Sequence, residues 1–180
     1  MRRAIFLDRD GVINRAIVRD GKPHAPSNVD ELEIIPGVAE ALTRLRDAGY
    51  YLVVVTNQPD VARGTRTQQS VEEIHTALVQ SGLAVDSLKT CYHDDADQCN
   101  CRKPAPGMLL ATAKEQGIDL ARSFMVGDRW RDIEAGQNAG CTSMFIDYNY
   151  IERKPAEPFV RVSSLKQAAD WILSQETTSK

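Results

Sequence analysis

Short apolar runs alternate with stretches of helical apolar period along this chain, and that alternation constrains its fold more than any other feature. Ala4–Leu7, Tyr51–Val55, Ser123–Val126 and Thr142–Ile146 are too short for helices and largely apolar, as buried strands are, and Leu88–Tyr92 is a more polar strand. Between them, Val38, Ala41, Leu42 and Leu45 follow the helical period after Pro36-Gly37, with Gly49 as a stop. Val71, Ile74, Leu78 and Val79 mark a second helix ending near Gly82, and Leu109, Leu110 and Ala113 a third, after Pro104-Ala105-Pro106-Gly107 and ending near Gly117. A fourth runs from Trp130 to Ala139, with Gly140 after it. Phe159–Val162 reads as an edge strand, and Ser164 with Gln167 resembles a capping box for a last helix ending near Leu173. The tail beyond Gln175 is expected to fray. Residues 8 to about 35, 59–67 and 147–158 are rich in turn formers and polar groups and read as loop. Strands alternating with helices predict an α/β fold: a Rossmann-like parallel sheet sandwiched by helices, with right-handed crossovers. No stretch is long enough for a large cap domain, so residues 1–180 are expected to form a single domain.

A chain of 180 residues buries on the order of 70% of its unfolded surface and needs no staple. The formal charge of −3, from 22 basic and 25 acidic side chains, argues against a nucleic-acid partner engaged by bulk charge. No apolar run approaches the ~20 residues that span a bilayer, and the N-terminal one stops at Asp8, too early for a signal peptide. The expectation is a cytoplasmic protein, a monomer, with no membrane and no nucleic acid as partner.

In open α/β sheets ligands bind beyond the carboxyl ends of the strands. Asp8-Arg9-Asp10-Gly11 follows the first strand, Thr56-Asn57-Gln58 the second, and Gly127-Asp128 the fourth. Asp8 and Asp10 are two apart, so both can face one side of an extended backbone. Close carboxylates repel unless a cation intervenes, and Asp128 as a third acid suits a hard oxygen site for Mg²⁺. Lys103, before a helix, offsets the repulsion of an anionic substrate. Taken singly, each of these residues is an ordinary turn, cap or strand end. Asp132, four residues after Asp128, reads singly as an acid that favours the positive end of its helix. In their joint order they point to phosphate chemistry.

Cys91, His93, Cys99 and Cys101 place three thiols and an imidazole within eleven residues. Soft ligands of this kind favour Zn²⁺, and with no open position the metal would be structural. The surrounding Tyr92, Asp94, Asp95, Asp97, Gln98 and Asn100 are too polar for these to be core thiols. Cys141 lies in an apolar strand and reads as core. His24 and His75 are expected to be solvated or packed.

The motifs Phe6-Leu7-Asp8-Arg9-Asp10-Gly11-Val12-Ile13-Asn14, Val53-Val54-Val55-Thr56-Asn57-Gln58, Cys101-Arg102-Lys103-Pro104-Ala105-Pro106-Gly107-Met108 and Met125-Val126-Gly127-Asp128-Arg129 resemble the haloacid-dehalogenase-type phosphatases. More narrowly, they resemble the branch that acts on histidinol phosphate and heptose bisphosphate, whose heptose members carry a zinc loop. The resemblance implies a phosphomonoester hydrolase with Asp8 as nucleophile, forming an aspartyl-phosphate, and Asp10 as acid and base. It implies Mg²⁺ held by Asp8 and Asp128 with the Asp10 main-chain carbonyl. Thr56 and Lys103 would bind the phosphoryl group, Asn57 and Gln58 would line the site, and Arg102 would contact the rest of a small phosphorylated metabolite. Arg129 stands where relatives often have Lys, and Arg63 and Lys22 would add positive charge at the mouth. That charge favours the 7-phosphate of a heptose bisphosphate over histidinol phosphate. A receiver-like domain phosphorylated without turnover shares the acids, but has no use for Asp10.

Overall fold

The computed structural model describes residues 1–177. Six strands form one parallel sheet: β1 (Arg3–Leu7), β4 (Tyr50–Asn57), β5 (Ser87–Cys91), β6 (Phe124–Gly127), β7 (Thr142–Ile146) and β8 (Val160–Val162), in the order β5-β4-β1-β6-β7-β8. Because successive side chains alternate across a strand, each central strand feeds two cores. Ile5, Leu7, Leu52, Val54 and Val126 point to one face, where Leu42 and Leu45 of α1 (Val38–Asp47), Leu78 of α2 (Gln68–Gln80) and Ala168 and Ile172 of α5 (Leu165–Thr177) cover them. Ala4, Phe6, Val53, Val55 and Met125 point to the other, under Met108, Leu109 and Ala113 of α3 (Gly107–Gln116) and Ala139 of α4 (Trp130–Ala139). Leu42, Leu45, Leu52 and Ile172 are fully buried, each contributing ~1.5–3 kcal/mol by removal from water. This two-sided cover is why these strands read as continuous apolar runs.

The chain moves outward from β1 to β4 and β5, then crosses back to β6 on the other side of β1. Strand order therefore reverses between β1 and β6, and the crevice at such a switch point is where an open α/β sheet binds its ligand. The register Leu7↔Val54 and Leu7↔Val126 sets the carboxyl ends of β1 and β6 side by side, with β4 running on past them to Asn57.

The segment expected to be loop after Asp8 contains a hairpin, β2 (Ile17–Arg19) and β3 (Lys22–His24). Its turn is Asp20-Gly21, both left-handed at φ 51° and 70°. Asp-Gly is a strong two-residue hairpin signal, but the polarity of the segment masks it. Strand β4 extends through Thr56 and Asn57, so those residues end the strand instead of following it. Helix α5 runs past Leu173 to Thr177, and the remainder of the tail expected to fray, residues 178–180, lies outside the described residues. Its start matches the capping signal: the Ser164 hydroxyl accepts from the Gln167 N–H at 3.1 Å, while the Gln167 carbonyl reaches back to the N–H of Ser163 at 2.5 Å. Among the described residues no helix is long and apolar enough to cross a membrane.

Candidate active site

The carboxyl ends of β1, β4 and β6 form the floor of a cleft of about 300 Å³, whose lining includes Asp8, Asp10, Asn57, Gln58, Arg102, Lys103 and Asp132. Asp8 emerges beside β6, its N–H donating to the Val126 carbonyl at 3.0 Å. Asp8, Asp128 and Asp132 are all buried, with one oxygen of each within 4.8 Å of the others. Burial raises Asp8 above the ordinary carboxylate range, and the neighbouring Asp132 carboxylate adds to the rise. Asp128 is raised well above that range, by burial and then by Asp8.

Lys103 answers part of this acidity. Its ammonium is buried and donates to Asp132 Oδ1 at 2.6 Å, to Asp8 Oδ1 at 2.8 Å and to the Val55 carbonyl at 2.8 Å. Burial works against its charge, but Asp132 and Asp8 outweigh burial and keep it protonated. Asp132 does more than favour a helix end. It caps α4 by accepting from the Arg129 N–H at 3.0 Å, and it is a counter-ion for Lys103. With Asp132 so occupied, Asp8 and Asp128 are the acids left for a cation. Asp128 accepts from the Tyr150 hydroxyl at 2.8 Å on one oxygen, while its buried Oδ1 has no partner among the described residues. Hard carboxylate oxygens with an orphaned buried member fit Mg²⁺. Gly11 closes this corner. Its φ is +88°, and a Cβ there would overlap the Asp128 carboxylate, so no other residue fits.

Asp10, on the wall of the same cleft, has donors of its own. Its carboxylate accepts from Asn14 Nδ2 at 2.9 Å, from Gln58 Nε2 at 3.0 Å and from the Arg9 guanidinium at 3.0–3.1 Å. Gln58 also donates to the fully buried Thr56 hydroxyl at 2.9 Å, tying the ends of β1 and β4 together. Asn57 pairs with main chain: it donates to the Lys103 carbonyl at 3.0 Å and accepts from the Lys103 N–H at 3.1 Å, so it positions Lys103. Arg129 lines the cleft but donates to Glu152 at 2.9 Å through Nε. Arg102 lines it too, pairing with Asp95 at 2.8 Å. Lys22 and His24 of the hairpin and Arg63 complete the mouth.

Sequence reasoning passes over Arg9, whose place between two acids in a polar stretch suggests exposure, yet whose side chain is fully buried beneath Asp10. It also passes over Tyr150 and Arg131, which carry no motif. His75 is packed and buried, while His24 is on the cleft wall.

Beyond β5, Cys91, His93, Cys99 and Cys101 converge. Cys91 Sγ lies 2.9 Å from Cys101 Sγ and 3.7 Å from both Cys99 Sγ and His93 Nδ1, and Cys101 Sγ lies 3.4 Å from Cys99 Sγ and 3.3 Å from His93 Nδ1. Ligands of a tetrahedral zinc with bonds of ~2.3 Å stand about 3.8 Å apart. The four donors are gathered closely enough to hold one Zn²⁺, with Cys91 and Cys101 needing to part by about 0.9 Å to reach that spacing. Cys141 is buried apart from them, in the core.

The family model of the haloacid dehalogenase-like hydrolases matches residues 15–140. The chain belongs to this family, as one of its phosphatases. It is 35% identical over 178 residues to a D-glycero-beta-D-manno-heptose-1,7-bisphosphate 7-phosphatase of Helicobacter pylori, covering 94% of this chain and 97% of that protein. It is 41% identical over 149 residues to the Pasteurella multocida protein of that name, covering 77% and 78%. The crystal structure of D,D-heptose 1,7-bisphosphate phosphatase from B. bronchiseptica, complexed with magnesium and phosphate, superposes with a TM-score of 0.82 at 32% identity, covering 96% of this chain and 99% of that one.

Proposed function

We propose that this chain removes the 7-phosphate of D-glycero-D-manno-heptose 1,7-bisphosphate by Mg²⁺-dependent hydrolysis through an aspartyl-phosphate on Asp8. The observation that carries this reading is the buried Lys103 ammonium against Asp8, beside the Asp128 oxygen that has no partner among the described residues, at the switch point of the sheet. The relatives' names and the magnesium and phosphate of the Bordetella structure support it.

An Asp8 oxygen attacks phosphorus and the ester bond breaks, while Asp10 gives its proton to the leaving oxygen. Water then attacks phosphorus, losing a proton to Asp10, and the acyl-phosphate bond breaks to release inorganic phosphate and restore Asp8. Lys103 and the Thr56 hydroxyl hold the equatorial oxygens. Asp8 and Asp128, with the Asp10 main-chain carbonyl, would hold Mg²⁺, which supplies positive charge between the acids and the phosphoryl group. Arg9, Asn14 and Gln58 aim Asp10. Arg102 faces the rest of the substrate, and Arg129 adds positive charge at the rim. Zn²⁺ on Cys91, His93, Cys99 and Cys101 would shape the mouth as a structural ion. This reading treats residues 1–180 as one domain with a metal loop at 91–101, a monomer of the cytoplasm, where clustered thiols stay reduced.

The test is kcat/KM with Mg²⁺ on heptose 1,7-bisphosphate and on histidinol phosphate, alongside Asp8→Asn. The bisphosphate is expected to be preferred and the variant inactive but folded. A higher value for histidinol phosphate would reassign the substrate. Single phosphorylation without turnover would mark a receiver-like domain.

A further inference from the structure

Three side chains at the cleft mouth form an arrangement that the proposed chemistry does not explain. Asp95 follows the metal loop's His93 by two residues and opens the short 3-10 turn Asp95–Asp97. Its carboxylate accepts from Arg102 Nε at 2.8 Å on Oδ1, and from Arg131 Nη1 and Nη2 at 3.1 Å each, one on either oxygen. All three residues line the same cleft as Asp8 and Lys103. The Asp95 side chain is 58% exposed, whereas Arg102 and Arg131 are 9% and 22% exposed. The anion is thus at the open end and the two cations are sunk behind it. Arg131 is further held by its guanidinium lying 4.6 Å from the centre of the Trp130 ring. Next door, Arg63 grips Asp94 with two bonds of 2.8 Å, so the loop is tethered independently of Asp95.

A buried and a half-buried guanidinium side by side need an anion between them. A carboxylate and a phosphate offer them the same forked acceptor edge. We propose that Asp95 occupies the seat of a second substrate anion, a built-in carboxylate that the distal phosphate of a bisphosphate replaces in the Arg102–Arg131 fork. This rests on the reading above that the substrate carries two phosphates. Asp95 sets selectivity: a monophosphate leaves it seated, and only a ligand with a second anion correctly spaced from the first can displace it. Its charge also weakens the capture of that anion, since the two compete for one fork.

The experiment uses the zinc- and magnesium-loaded protein and p-nitrophenyl phosphate turnover. Fructose 1,6-bisphosphate and fructose 6-phosphate serve as competing inhibitors, so the readout does not depend on the natural substrate. The ratio of their inhibition constants reports the seat. Asp95→Asn should shift it about fivefold toward the bisphosphate, and Arg131→Gln should shift it about as far the other way. A ratio in Asp95→Asn equal to that of wild type, or shifted toward the monophosphate, would overturn the proposal. So would an unshifted ratio in Arg131→Gln, which changes no residue of the metal loop and decides the matter if Asp95→Asn loses its zinc. Wild-type turnover of heptose bisphosphate is measured separately: its absence would sink the substrate reading while the ratio still judges the seat.

Discussion

Lys103 joins the two halves of the site's electrostatics. It is the one cation in direct contact with Asp8 among the described hydrogen bonds, and it spends its other two donors on Asp132 and the Val55 carbonyl. Without it, Asp8 and Asp132 would face each other in a buried pocket with no counter-ion. Lys103→Met should therefore destabilise the metal-free protein by about 3–5 kcal/mol at pH 7, read from urea denaturation, as well as abolish turnover. A loss below about 1 kcal/mol would show that solvent reaches these acids. Asp10 is the opposite case, a carboxylate with ample donors around it. Asp10→Asn keeps the shape of that network and removes only the proton-carrying group, so kcat should fall about 10²–10⁴-fold with little change in stability. A loss smaller than tenfold would point to another acid.

At the scale of elements, the loop from Cys91 to Cys101 gathers four donors that could hold a metal ion. Cys91 closes β5, paired in register with Asn57, and the loop then carries Asp94 and Asp95 into contact with Arg63, Arg102 and Arg131. Metal analysis should give close to one zinc per chain, and Cys99→Ala with Cys101→Ala should give none. The sheet is built elsewhere, so the double variant should keep its far-ultraviolet spectrum while its Tm falls by roughly 4–8 °C, the equivalent of about 2 kcal/mol in a chain of this size. Full retention of zinc by the double variant would remove these ligands from consideration. The hairpin β2–β3 is a second element at the mouth, and its Asp20-Gly21 turn is readable from sequence. What hides it is its pattern: Ile17–Arg19 and Lys22–His24 are largely exposed and show no apolar alternation.

At the scale of the whole molecule, stability should depend on pH through buried groups that act in opposite directions, His75 on one side and the acids Asp8 and Asp128 on the other. Burial, reinforced by the Arg9 charge, pulls His75 down to about 4, and its Nε2 has no partner among the described residues. Between the unfolded value near 6.5 and about 4 the unfolded chain binds the extra proton, so stability is lost as pH falls through that window. Allowing for partial exposure the loss is on the order of 1–2 kcal/mol. His75→Leu should flatten this acid limb, measured as urea midpoints at pH 7 and pH 4.5, and parallel losses in both proteins would refute it. Asp8 runs the other way. Burial and Asp132 raise it to about 7, so the metal-free fold binds more protons than the unfolded chain above about pH 4 and loses stability as pH rises toward 7. Mg²⁺ should relieve this, raising Tm more at pH 7.5 than at pH 5. An equal rise at both would place the cation elsewhere.

Local chemistry is legible in the amino-acid sequence alone. Buried strands declare themselves by length and apolarity, and an amphipathic helix by its period. Asp8, Thr56, Lys103 and Asp128 can be drawn to one edge because parallel strands share a carboxyl end, and Cys91, His93, Cys99 and Cys101 can be grouped because they fall within eleven residues. Only the tertiary structure decides who pairs with whom. That Asp132 neutralises Lys103, that Arg9 lies buried under Asp10, that Tyr150 holds Asp128 and that Asp95 sits in the Arg102–Arg131 fork all depend on contacts outside any one motif's spacing. A charged residue's type shows that it needs a partner, but burial sets how strongly, and burial is a property of the packed molecule.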